Sequence, residues 1–130
     1  MKRNIVIGAA IAALILVPAP LFAADAASEV VTAGTHADLA AKASDLTSVQ
    51  MHLHHALNCL VGPGGNGFDP KQLNPCAHSG NGAIPDTRDA AKKASLESAA
   101  SKARDGIATS DPKTAKANAT AAASLLKGGK

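Results

Sequence analysis

The sequence predicts an all-α fold, a small antiparallel helical bundle of about three helices, and three observations carry that expectation. Ala supplies thirty of the 130 residues and is the strongest helix former. Apolar residues beyond the leader recur at spacings of three and four, the period of a helix face. Capping residues open these runs, and Gly or Pro closes them.

The chain begins with Lys2 and Arg3, continues with an uncharged apolar run from Ile5 to Val17, and then has Pro18, Pro20 and small residues. This is the pattern of a secretory signal peptide over residues 1–24, cut between positions 23 and 26, with Ala24-Asp25-Ala26 as the cleanest cleavage motif. The apolar run is shorter than the roughly 18 to 20 residues that span a bilayer. The expectation is therefore a cleaved leader, a periplasmic destination with the extracellular space as the alternative, and no membrane contact afterwards.

Residues 27–130 are expected to form a single small helical domain. Leu, Ile, Val and Phe number only 16 of these 104 residues, so the core is thin and built largely from Ala methyl groups. Val30 and Val31 lead either a short helix or a loose arm. The first long helix is predicted over about 36–60, with Thr35 and Asp38 as a capping box. Its stripe runs through Leu39, Lys42 or Ala43, Leu46, Val49, Leu53, Ala56 or Leu57, and Leu60, and Gly62-Pro63 ends it.

A second helix is expected over about 87–109, capped by Asp86, with Leu96, Ala100, Ala103 and Ile107 facing the core. A third, over about 112–127, starts at Asp111-Pro112, with a cap and then Pro at the first helical position. Ala115, Ala119, Ala122, Leu125 and Leu126 form its stripe. Between the first two helices lies a loop over 61–85 with six Gly and four Pro. Cys59 and Cys76, an even pair in an exported chain, are expected to close it as a disulfide.

Composition excludes several functions. There is no Trp or Tyr, and Phe68 is the only Phe beyond the leader, so bases have no aromatic platform to stack on. Nucleic acid is not an expected partner. Charge is uneven: positions 24–87 hold six acids against Lys42 and Lys71, whereas 88–130 hold nine bases against four acids. Oppositely charged helices that pack or face solvent explain this, with a basic patch for an acidic partner as the sharper alternative. No G-x-S-x-G context and no paired carboxylates are present, so the chain is not read as an enzyme. Without C-x-x-C-H there is no covalent haem attachment.

The strongest chemical signal is Met51-His52-Leu53-His54-His55. With Leu53 facing the core, the 100° step per residue places His52 and His54 on opposite flanks and His55 nearly opposite the core. His52 and His55, at i and i+3, share a face, as do Met51 and His55 at i and i+4. A loop folded back by the disulfide brings His78 toward this end of the helix. The metal-ligand candidates are thus His52, His55, His78 and Met51, a set suited to copper or zinc. Two functions from different classes follow. One is a structural or protein-interaction module, self-associating as a homo-oligomer or docking a periplasmic partner. The other is a periplasmic copper- or zinc-binding or buffering protein.

Overall fold

A computed structural model describes residues 24–128, and the predicted leader lies almost wholly outside this range. The described residues form five helices and no strand. α1 spans Ala26–Lys42, and Asp25 caps it by accepting a hydrogen bond from the Ser28 N–H at 2.9 Å. Val30 and Val31 therefore belong to a full-length helix, with Val30 buried and Val31 half exposed.

The single helix expected over 36–60 is two helices, and the break between them is the main correction to the sequence reading. Ala43 turns to an extended backbone, and α2, Leu46–Val61, starts afresh with Asp45 as its cap. The Asp45 carboxylate accepts from the Ser48 N–H at 2.9 Å and from the Ser48 hydroxyl at 2.8 Å. A short polar side chain can reach that N–H only when its own residue leaves the helical conformation, so this capping interaction competes directly with helix continuation. Thr35, expected as a cap, lies inside α1 and donates its hydroxyl to the Val31 carbonyl. Leu39, expected in the stripe, is 43% exposed, while Ala33, Ala37 and Ala40 make the buried face of α1.

α2 ends where expected, at Gly62, whose N–H donates to the Asn58 carbonyl. Gly62 has φ +68°, and a Cβ there would collide with the Asn81 carbonyl. Glycine is required on both counts.

The Gly/Pro-rich segment is ordered by two anchors on the last turns of α2. One is the disulfide between Cys59 and Cys76, with Cα atoms 5.1 Å apart. The other is Asn58, fully buried, which accepts from the Asp69 N–H and donates to the Asp69 and Leu73 carbonyls. One turn of helix that the sequence reading placed partly in the loop, α3 over Ala83–Asp86, completes the segment. Asp86 ends α3 rather than capping the next helix. That role falls to Asp89, which accepts from the Lys92 N–H as the cap of α4, Ala90–Ala108. α5, Pro112–Gly128, begins as expected, with the Asp111 carboxylate accepting from the Thr114 N–H.

α1 packs against α2 and α5, and α4 packs against α5 and α2, so the four longer helices close a ring. Gln50, near the start of α2, donates to the carbonyls of Ile107 and Thr109, tying that end to the exit of α4. Gly106 lets α4 lie close against α2 and α5: a Cβ there would lie 2.5 Å from Leu53 Cδ1 and 3.2 Å from Asn118 Cβ. The interior holds Val49, Leu53, Leu57, Leu60, Leu96 and Leu126, filled in by Ala from every long helix. Among the described residues no helix is long and apolar enough to cross a membrane.

Candidate metal centre

The break at residues 43–45 determines which histidines meet. Two helices joined by a turn centred on Ser44 run back along each other, so residues equally far from the turn face one another. His36 lies eight positions before Ser44 and His52 eight after. Their Nδ1 atoms are 3.3 Å apart. His55, one helical turn beyond His52, lies against the same pair, with ring centroids 5.1 Å from His36 and 5.7 Å from His52. One ring nitrogen from each of the three lies within 4.8 Å of the others.

The predicted ligands divide accordingly. His52 and His55 are brought together, as their spacing implied. His78 is exposed on the loop and lies outside the triad, and its place is taken by His36. The disulfide does fold the loop over α2, but it fastens Cys76 at the last turn of α2, beside the Glu29 carbonyl of α1, rather than at the level of His52. Met51, one turn before His55, is 39% exposed. His54 faces the other flank, with its Nδ1 3.9 Å from the Asp69 carboxylate.

His55 also departs from the helical-wheel expectation, since the face opposite Leu53 is not solvated. α1 covers it, leaving His55 8% exposed. His36 escaped detection because a continuous helix over 36–60 puts it at the far end, some four turns from His52. The signal that could have found it is Asp45-Leu-Thr-Ser48, an aspartate positioned to cap a new helix inside an apparently continuous run.

Folding biases His36 and His55 toward the neutral form. Burial lowers the pKa of His36, and the nearby His55 and His52 lower it further. His55 is lowered in the same way, first by burial and then by His52 and His54. Three imidazoles at this distance repel one another once protonated, and the neutral form is the one that ligates metal. The Nδ1 of His55 is buried without a hydrogen-bond partner. In the His36–His52 contact one Nδ1 donates and the other accepts, so a metal held by both Nδ1 atoms requires that proton to move to the far nitrogen of its ring.

The spacing also suits a metal. Zinc–imidazole bonds of about 2.0–2.1 Å in a tetrahedron place neighbouring nitrogens about 3.3 Å apart. The His36–His52 separation is already that edge. With all three nitrogens within 4.8 Å of one another, closing to that edge asks for movements of no more than about 1.5 Å, within the range of side-chain torsions. Comparison of the chain with protein families, with curated proteins and with solved structures finds no match, so the chemistry of the site is read from its own geometry.

Proposed function

We propose that this protein binds a transition metal ion, copper or zinc, at His36, His52 and His55, as an exported periplasmic metal-binding or buffering protein. The convergence of three imidazoles from two helices supports this reading most directly, and burial biases His36 and His55 toward the neutral, ligating form. Imidazole suits copper, zinc and nickel, whereas magnesium and calcium need oxygen ligands that this cluster lacks. Export through a leader spanning residues 1–24 agrees with the cystine at Cys59–Cys76. Cleavage before Asp25 retains the cap of α1. The domain, a small helical bundle, acts in this reading without catalysis and without nucleic acid.

Titration calorimetry of the oxidised protein with zinc and with copper(II) tests the proposal. Binding tighter than millimolar, lost in His36→Ala and retained in His78→Ala, is the expected result. Equal affinities in the two variants would overturn it.

A second reading, a structural or protein-interaction module, is favoured by an open groove of about 900 Å³ between the loop and α4. Its lining is apolar at Val61, Ile84 and Ala100 and charged at Lys93, Glu97 and Arg104.

A further inference from the structure

Zinc and cobalt take four ligands in a tetrahedral site, and the fourth decides whether the metal is sealed in or open to exchange. The donors available here are few. Both cysteines are consumed by the disulfide. Among the described residues no carboxylate, thiolate or fourth imidazole joins His36, His52 and His55. His54 turns toward Asp69, and His78 is exposed on the loop.

Charge and access point the same way. Three neutral imidazoles leave the double charge of the metal uncompensated in a half-buried site, where an anion is more strongly attracted than in water. His55 is buried and forms the floor, whereas His36 and His52 are only partly covered, so solvent reaches the cluster from their side.

We infer that the three-histidine centre is an open metal site whose fourth position takes an exchangeable small ligand, water or a monovalent anion. This rests on the reading of the triad as a metal centre. The one other soft donor nearby in sequence is the Met51 thioether, a turn before His55 and partly exposed. It is the competing fourth ligand.

The test uses the oxidised protein loaded with cobalt(II), whose visible absorption reports coordination directly. Sodium azide is titrated into wild type and Met51→Leu. The inference expects the tetrahedral bands to shift and saturate with azide in both proteins, and to return on dialysis. Cobalt bound with bands that azide leaves unchanged in both would mean a closed site and overturn the inference while leaving metal binding intact. A response confined to Met51→Leu would assign the fourth position to the thioether and overturn it too. Failure of wild type to take up cobalt, zinc or copper would remove the metal reading itself, and the inference with it.

Discussion

α1 carries two ionisable groups on one face, Glu29 and His36, two turns apart, and they meet opposite problems in the same interior. Glu29 lies under the disulfide-anchored loop, fully buried, with one carboxylate oxygen accepting from the Gly82 N–H and the other without a donor. Burial raises its pKa to about 7. The Gly82 hydrogen bond opposes that rise, and the Asp86 carboxylate beside it adds to it. A proton on Glu29 removes its repulsion from the Asp86 carboxylate and the cost of burying its charge. At His36 and His55 burial acts on a base and lowers the pKa, favouring loss of the proton. The same low-dielectric interior thus stores a proton at one end of the helix and frees lone pairs at the other. Each end is specialised by which residue is buried rather than by how deeply.

The largest expected effect is at the acid end. Glu29 is protonated at a higher pH in the native state than in the unfolded chain, so the native state holds more protons between about pH 4.5 and 7. The stability this gives is full below that window and is lost as pH rises through it, about 3 kcal/mol in all. Glu29→Gln mimics the neutral acid and keeps an oxygen to accept from the Gly82 N–H. Urea denaturation across pH should show the variant without the wild type's Glu29-linked gain in stability on acidification through the window, and more stable than wild type at pH 8.

Of similar size is the loss of the bridge. Cys76→Ser should cost about 3 kcal/mol for a ring of this length. Because the bridge anchors the acid end, zinc affinity at the histidines, measured below the melting temperature, should be preserved. A parallel loss of affinity would show that the two ends are coupled.

A smaller change sharpens the histidine end. Asp45→Ala removes the cap that restarts the helix and should cost about 1 kcal/mol. It also loosens the turn that sets His36 opposite His52, so zinc affinity should fall more than in a control such as Asp111→Ala, which removes the cap of α5.

The last effect is a slope. His36 and His55 have pKa values lowered by folding, so the unfolded chain takes up their protons first as pH falls below about 6.5. Their contribution to stability is present above that value and is lost as pH falls. Glu29 drives the opposite trend over an overlapping window. Replacing both histidines by Ala should therefore steepen the gain in stability on acidification, seen as a larger rise in Tm between pH 7 and pH 5 than in wild type.

Much of the fold was legible because its signals are local. The Ala-rich helical character, the stop at Gly62-Pro63, the Asp111-Pro112 start and the Cys59–Cys76 pair each depend on residues within a turn of one another or on an even count of cysteines. The His52 and His55 pairing was legible for the same reason, since i and i+3 share a face in any helix. The interruption at Ser44-Asp45 was not. The periodicity of three and four runs through it almost unbroken, and only the competition between the Asp45 cap and helix continuation, decided by what packs on each side, splits the run.

The sequence by itself determined the secondary-structure class, the bridge and a pair of adjacent imidazoles, because propensity, capping and short spacing act along the chain. Tertiary structure alone decided that α1 folds back over α2. That placed His36, not His78, as the third member and turned the outward face of His55 into an interior one. Which distant residues meet depends on where a helix breaks and what then covers it, and the stability of that arrangement is shared among contacts that no single stretch of sequence contains.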